Sequence, residues 1–116
     1  MSKHDDYIYL FDMLNHAREA VELLADKNQD QLAADRLLQL ALTRLLEIIG
    51  EAGNRVSTQT QQKNKQVPWK QIIGMRNRLI HGYDVIDYQL VWNTVRYDLP
   101  PLIRIMDKIC SDSNQR

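Results

Sequence analysis

The stretch that decides the fold spans residues 74–84 and reads Gly74-Met75-Arg76-Asn77-Arg78-Leu79-Ile80-His81-Gly82-Tyr83-Asp84. It places a guanidinium, an amide, an imidazole and a phenol within little more than two turns of helix. Pro68 precedes it and suits the first position of a helix, where its missing N–H costs nothing. Gly82 suits the left-handed residue that ends a helix. We therefore predict a helix from Pro68 to about His81 that carries this polar set.

Helical spacing groups the polar residues along one edge. Arg76 and Tyr83 are seven residues apart and fall on nearly the same line, while Asn77 and His81 are four apart on the adjacent stripe. Such an edge suits a phosphate, because arginine holds phosphate oxygens through a planar fork. Histidine titrates near neutral pH and can move a proton.

The pattern Arg76-x-x-x-x-His81-x-Tyr83 resembles the signature of HEPN-domain ribonucleases, and specifically of the HepT-like toxins. The polar Asn77 directly after the arginine also fits that pattern. Two further stretches carry the resemblance through the chain, Ile48-Ile49-Gly50-Glu51-Ala52 and Val67-Pro68-Trp69.

The resemblance implies a fold and an activity. The fold would be an all-α, HEPN-like up-and-down bundle of four to five helices that forms one domain over residues 1–116. The activity would be that of a toxin in a type VII-like toxin–antitoxin pair, a metal-independent endoribonuclease that cuts tRNA or mRNA without a cofactor. Its site would form across a homodimer, and an MntA-type nucleotidyltransferase antitoxin would silence it by placing AMP on Tyr83.

The site residues have distinct expected roles. Metal-free RNA cleavage needs a group that moves protons, for which His81 is the candidate, and positive charge on the transition state, for which Arg76 is the candidate. Asn77 would fix the imidazole or donate to a phosphate oxygen. One histidine would have to act as both acid and base. Two chains with facing motif helices would supply two histidines and complete the cleft.

Glu51 has two interpretations. It lies one helical turn after Glu47, and both are within reach of ordinary ion pairs with Arg44 or Arg55. Alternatively, Glu51 supports the site by orienting Arg76 or His81. A metal role is not expected, because the sequence lacks the Glu-x-x-His partner of di-metal bundles and its three histidines are scattered.

Composition sets the remaining limits. The chain has 116 residues and a net charge of zero, so it is not a general polycation. The segment from Arg55 to His81 nevertheless contains only basic charges, which would recruit a phosphate backbone locally or would simply be a solvated loop. The single Cys110, with no apolar membrane span and no leader segment, favours a cytoplasmic protein without membrane association.

Apolar residues spaced four and three apart predict the remaining helices. The first runs from Asp5 to Lys27. The second starts after an Asp30 cap and continues to Val56; its apolar surface is wide enough to bury one face against another subunit. Residues 57–66 read as a polar loop and residues 84–87 as a turn. Asp87 would cap a last helix that is kinked or split at Pro100-Pro101.

Two alternatives remain beside the ribonuclease reading. The chain could be a non-catalytic HEPN module that binds a nucleotide or docks a nucleotidyltransferase. It could also be a purely structural helical dimer, in which Arg76 is a surface residue, His81 caps a helix end and Tyr83 is a packed aromatic.

Overall fold

The computed structural model describes residues 3–83 and 85–114, which are almost entirely helical. A two-stranded antiparallel ribbon interrupts the helices after residue 79. The elements in chain order are α1 (Lys3–Leu24), α2 (Gln29–Ala33), α3 (Arg36–Arg55), α4 (Thr58–Lys63), α5 (Trp69–Gly74), α6 (Arg76–Leu79), β1 (Ile80–His81), β2 (Val85–Ile86), α7 (Tyr88–Asn93), a π-helical segment (Thr94–Asp98) and α8 (Leu99–Asn114). The predicted all-α bundle is confirmed.

The long helices α3 and α8 both pack against α1 in an up-and-down arrangement. Asp6, near the start of α1, binds Ser57, which follows the end of α3, so these two helices are antiparallel. Their apolar seams form the core as predicted, because every fourth or third residue of a helix returns to the same face. The buried seam residues are Leu10, Leu14, Ala17, Leu24, Leu38, Leu42, Leu45, Ile49, Ala52, Val56, Val91, Val95, Leu99, Leu102 and Met106.

The last helical segment runs antiparallel to α1. Arg96 donates from Nη2 to the carbonyl oxygen of Lys27 at 2.9 Å, just beyond the end of α1. Eleven residues later, Asp107 pairs with Arg18 nearer the middle of α1. The guanidinium of Arg96 also lies 4.7 Å above the ring of Trp92, a cation–π contact at the point where α7 meets the π-helical segment.

The predicted second helix is two helices. Asn28 and Gln31 form a capping box that starts the short α2, because each side chain accepts from the other residue's backbone N–H. The chain then turns, and Asp35 caps α3 by accepting from the N–H of Leu38 at 3.0 Å. The predicted cap at Asp30 is therefore wrong, since Asp30 lies inside α2.

Residues 57–66 are not a loop throughout. Ser57 accepts from the N–H of Thr60 and starts α4, a six-residue polar helix without a buried residue. The buried carboxylate of Asp6 fastens this helix to α1, because it accepts from Ser57 and from the Thr60 hydroxyl at 2.6 Å. Burial acts to raise the pKa of Asp6, but hydrogen bonds from Thr60 and Ser57 outweigh it and hold that pKa below its usual value.

A close approach of α3 and α5 positions the motif. A Cβ atom at Gly50 would lie 2.9 Å from the backbone oxygen of Ile72, so only glycine allows this spacing. One turn later, Gly53 faces Met13, Ile72 and Ile73 at ordinary contact distance. These two glycines therefore let α5 lie close against α3.

The predicted motif helix ends early. The helix starts at Trp69 with Pro68 as its N-cap, is interrupted at Met75, and ends at Leu79. Ile80 and His81 then form β1, which pairs with β2 in the register Ile80 to Ile86 and His81 to Val85. The prediction that His81 is helical and stacks on Asn77 is therefore wrong.

Gly82 adopts the predicted left-handed conformation, with φ of +65°, but in the turn of this ribbon instead of at a helix end. Asp84, part of the predicted 84–87 turn, lies outside the described residues, and Val85 is in a strand. Asp87 caps α7 as predicted and accepts from the N–H of Leu90 at 3.0 Å.

The helix from Tyr88 to Asn114 changes its winding before Pro100-Pro101. Thr94–Asp98 is π-helical, and the N–H of Leu99 donates to the carbonyl of Thr94, five residues earlier. This wider turn accommodates a proline, whose ring otherwise collides with the carbonyl of the preceding turn. The predicted split at the proline pair thus takes the form of a π-helical segment that joins α7 to α8.

None of the helices described here is both long and apolar enough to cross a membrane.

Candidate active site

Arg76 is the first residue of α6 and projects beside α3. Its Nε lies 3.7 Å from Oε2 of Glu47, one of the few charged groups in this region with little exposure. The Arg76 side chain is 67% exposed and that of Glu47 only 16%. The guanidinium is therefore attached to the bundle through Nε, and most of its surface remains open to a ligand.

Glu47 belongs to a row of alternating charges along α3. Arg44 Nη1 lies 4.0 Å from Oε1 of Glu47 and 3.3 Å from Oε1 of Glu51. Arg44 thus bridges the two carboxylates, which confirms its ordinary ion pairs on this helix. Among the described residues, Glu47 is the acidic residue that contacts Arg76, whereas Glu51 contacts Arg44.

His81 lies in β1 on an exposed ribbon. Its Nε2 is 3.5 Å from Oδ2 of Asp87, the residue that follows β2 and caps α7. The side chain of His81 is 66% exposed and that of Asp87 is 34% exposed. Because the ribbon folds back, a residue six positions along the chain faces the imidazole, and a continuous helix would not produce this pairing.

The remaining motif residues are exposed or make other contacts. Asn77 is exposed, and within residues 3–83 and 85–114 no hydrogen bond joins it to His81. Arg78 donates from Nη2 to the carbonyl of Gln71 at 3.1 Å, which ties it to α5 and away from Arg76. Tyr83 is 98% exposed in the ribbon turn, so its hydroxyl is accessible to a large partner.

Basic side chains on the neighbouring elements add to the positive character of this region. The exposed residues are Arg55, Lys63, Lys65, Lys70, Arg76 and Arg78, distributed from the end of α3 to α6. Across the part of the chain that the structure describes, no cluster of three or more histidine, cysteine, aspartate or glutamate side chains is arranged to hold a metal ion.

The arrangement supplies two separate chemical functions. Arg76 offers an open, permanently charged guanidinium that can neutralise a non-bridging phosphate oxygen. His81 offers an accessible imidazole beside a carboxylate, a combination that moves protons in many enzymes. Sequence reasoning found both groups but missed their acidic partners. Asp87 appeared only as a helix cap, and Glu47 only as one member of a helix ion pair.

The chain is a helical bundle that presents Arg76, His81 and an exposed Tyr83. The described residues include no cluster arranged to hold a metal ion. These features define a candidate phosphoryl-transfer protein. Comparison with known proteins gives the family. The family model described as ribonuclease HepT-like matches residues 13–109. The chain belongs to the HepT-like ribonuclease family, which confirms the resemblance and the predicted enzyme class.

Individual relatives are similar over nearly their whole length. A candidate RNase from Methanocaldococcus jannaschii is 38% identical over 102 residues, 88% of this chain and 94% of that protein. A second candidate RNase from the same archaeon is 30% identical over all 116 residues of both chains. A protein of Thermococcus cleftensis named as a ribonuclease HepT is 32% identical over 84% of this chain and 93% of its own. No solved structure matches this chain.

Proposed function

We propose that the chain is the toxin of a type VII-like toxin–antitoxin pair and that it cuts RNA internally without a metal ion. The observation that supports this most is the placement of Arg76 and His81. Arg76 begins α6 and His81 lies in β1, two residues after α6 ends, and both side chains are about two-thirds exposed. A long RNA chain needs such an open site, because an enclosed pocket would admit only small molecules.

The chemistry is transfer within the RNA backbone. His81 accepts the proton of a ribose 2′-OH, and the 2′-oxygen forms a bond to the adjacent phosphorus while the bond from phosphorus to the 5′-oxygen breaks. Arg76 stabilises the charge on the non-bridging oxygens of the transition state. The leaving 5′-oxygen takes up a proton, so the products are a 2′,3′-cyclic phosphate and a 5′-OH.

A second copy of the chain supplies the second acid–base group. One exposed histidine cannot both remove and deliver a proton in the same step, whereas two facing motifs bring two histidines and two arginines to one cleft. The apolar surface of α3 supports self-association, since Leu37 is 77% exposed and Leu40 is 45% exposed. Leu37 and Leu40 are three residues apart and so lie on the same side of α3. A contiguous apolar patch of this kind is typical of a surface that another chain covers.

Tyr83 is the proposed control point. Its phenol attacks the α-phosphorus of ATP, a bond forms between the tyrosine oxygen and phosphorus, and pyrophosphate leaves with the phenolic proton passing to solvent. An MntA-type nucleotidyltransferase is the proposed catalyst. The near-complete exposure of Tyr83, two residues after His81, supports this role. The added phosphate would repel the RNA backbone from the cleft.

The test is RNA cleavage in EDTA by purified protein. Wild type and the matched control Arg78→Ala should cut and leave cyclic-phosphate ends, whereas Arg76→Ala and His81→Ala should not. Arg78 is a suitable control because it has the same charge, lies on the same helix and bonds to Gln71 instead of Glu47. Equal cleavage by all four proteins would place the activity elsewhere.

Mixing chains distinguishes a cleft that two chains share from a separate cleft in each chain. If two chains share one cleft, an excess of His81→Ala chains should lower the activity of each wild-type chain, because a mixed dimer offers one histidine where two are needed. Independent clefts would leave the activity of each wild-type chain unchanged. If no protein cuts, intact mass distinguishes two cases. An added AMP on Tyr83 indicates a silenced toxin, while an unmodified and inactive chain supports a non-catalytic docking module.

A further inference from the structure

Asp87 is the most firmly fixed charged side chain near His81. Its backbone N–H donates to the carbonyl of Leu79 at 2.8 Å, which closes the ribbon at its base. Its Oδ1 accepts from the N–H of Leu90 at 3.0 Å and caps α7. These two bonds hold the backbone and one carboxylate oxygen, and they direct the other oxygen, Oδ2, toward Nε2 of His81 at 3.5 Å.

His81 lacks comparable support of its own. Its side chain is 66% exposed, and the next residue is the left-handed Gly82 in a turn. An exposed imidazole on a two-residue strand samples several rotamers unless a neighbour restricts it. In this structure, the neighbour that contacts the imidazole is the Asp87 carboxylate. The fixed Asp87 carboxylate therefore restrains the flexible His81 side chain. Its Oδ1 caps α7, and its Oδ2 orients the imidazole.

We infer that Asp87 is a positioning residue that fixes the orientation and tautomer of His81 so that Nδ1, and not Nε2, meets the RNA. This inference rests on the proposed function. A carboxylate beside Nε2 favours the tautomer with the proton on that nitrogen, which leaves the Nδ1 lone pair free. When Nδ1 accepts the 2′-OH proton, the ring becomes positively charged, and Oδ2 stabilises that charge without taking a proton itself.

Asp87→Asn separates this role from capping. Asparagine is as good an N-cap as aspartate, so the bond to Leu90 and the start of α7 are preserved. The side chain loses its charge, and its amide group no longer favours a proton on Nε2. We expect kcat to fall by about ten- to a hundredfold, less than the roughly 10⁴-fold loss when a buried catalytic histidine loses its aspartate, because this pair is partly exposed. We expect KM to stay within about twofold, since Asp87 does not contact the substrate.

Two further variants complete the series. Asp87→Glu keeps the carboxylate and should recover part of the lost kcat. Asp87→Ser keeps a cap but has neither the charge nor the reach, so it should be as slow as Asp87→Asn. Unfolding by urea should show that Asp87→Asn and wild type differ little in stability, which excludes a loss of folding as the cause.

A spectroscopic measurement gives a readout that cap or fold effects would not change. The ¹⁵N shifts of the His81 ring distinguish protonated Nε2 from protonated Nδ1. Wild type should show the proton on Nε2, and Asp87→Asn should shift the population toward Nδ1. Wild-type kcat in Asp87→Asn together with an unchanged tautomer would overturn the inference.

The two proposals fail in different ways. If His81→Ala abolishes cleavage and Asp87→Asn does not, the ribonuclease proposal holds and the positioning role is wrong. If the wild-type protein does not cut RNA even without AMP, the ribonuclease proposal fails. The tautomer measurement then decides the pairing alone: an Nε2 proton that moves in Asp87→Asn supports it, and one that does not move overturns it.

Discussion

Oε2 of Glu47 lies 3.7 Å from Nε of Arg76, so an acidic group of α3 holds the guanidinium that we assign to phosphate stabilisation. Because Arg76 is 67% exposed, water screens the pair, and its contribution to the free energy of unfolding is below about 1 kcal/mol. The Glu47–Arg76 pair matters because it orients the guanidinium. A contact at Nε sets the plane of the guanidinium and leaves the two terminal nitrogens directed outward for a phosphate.

Glu47→Gln should therefore slow RNA cleavage without unfolding the protein. The loss of orientation should lower kcat about three- to tenfold, equivalent to about 1 kcal/mol of transition-state stabilisation. The midpoint of urea unfolding should change little. Single-turnover cleavage and urea unfolding of the same preparation measure both quantities.

Glu51→Gln is the matched control for Glu47→Gln. It removes the same charge from the same helix but acts on Arg44, at 3.3 Å, and not on Arg76. It should cut RNA at close to the wild-type rate. A slow Glu51→Gln beside a normal Glu47→Gln would reverse the assignment and support the role of Glu51 that the sequence suggested.

Gly50→Ala should destabilise the protein by separating α3 from α5. The new methyl would lie 2.9 Å from the backbone oxygen of Ile72, and a backbone atom cannot move aside as a flexible side chain can. Overpacking costs about 1–3 kcal/mol, partly offset by about 1 kcal/mol from better helix propensity. We expect a net loss of about 1 kcal/mol in urea unfolding.

The matched control for Gly50→Ala is Gly74→Ala. Gly74 ends α5, and no atom lies within 4 Å of the position that its Cβ would occupy. This change should be neutral or slightly stabilising. If both alanine variants are equally stable, the close approach at Gly50 does not limit the packing of α5.

Gly82→Ala should impair the site more than the fold. At φ of +65°, an alanine is strained by about 1 kcal/mol, although no atom lies within 4 Å to obstruct its Cβ. The strain acts on the ribbon that carries His81, so cleavage should fall while global unfolding changes by no more than that amount. Gly82→Asn should retain more activity, because asparagine tolerates the left-handed region. Wild-type activity in both variants would show that the turn conformation is not needed.

The helical core is predictable from sequence because its signal is local. The seam from Leu38 to Val56 repeats at four and three residues, and every member of it is buried. The cap at Asp87 and the close packing at Gly50 follow from residue type at a given position. In contrast, α4 contains only polar residues, so no apolar period marks it, and its attachment to Asp6 depends on a contact 51 residues away in the chain.

The motif segment shows where local signals are ambiguous. Gly82 is left-handed both at a helix end and in a ribbon turn, so residue type alone cannot distinguish them. The decisive bond runs from the N–H of Asp87 to the carbonyl of Leu79, and it forms only when the chain folds back on itself. The residues Arg76 and His81 were therefore found from the motif, whereas their partners Glu47 and Asp87 required the tertiary structure.

Asp6→Ala should remove an anchor between α1 and α4 that depends on pH. The carboxylate accepts from the Ser57 N–H at 2.9 Å, the Ser57 hydroxyl at 2.7 Å and the Thr60 hydroxyl at 2.6 Å. Because Asp6 is 3% exposed, removing it leaves these donors poorly hydrated. We expect a loss of about 2 kcal/mol in the free energy of unfolding at pH 7, typical of hydrogen bonds to a buried charge.

The pH dependence identifies the carboxylate as the cause. The pKa of Asp6 is lowered in the folded state, so the unfolded chain binds its proton first as the pH falls. The stabilisation is complete above the unfolded value of about 3.9 and disappears as the pH drops through the lower folded value. Wild type and Asp6→Ala should thus differ by a constant amount between about pH 5 and pH 7 and converge below about pH 4. Asp26→Asn, a change at an exposed aspartate, serves as the control and should follow wild type throughout. A difference that persists unchanged at low pH would mean that packing, and not the charge of Asp6, holds α4 in place.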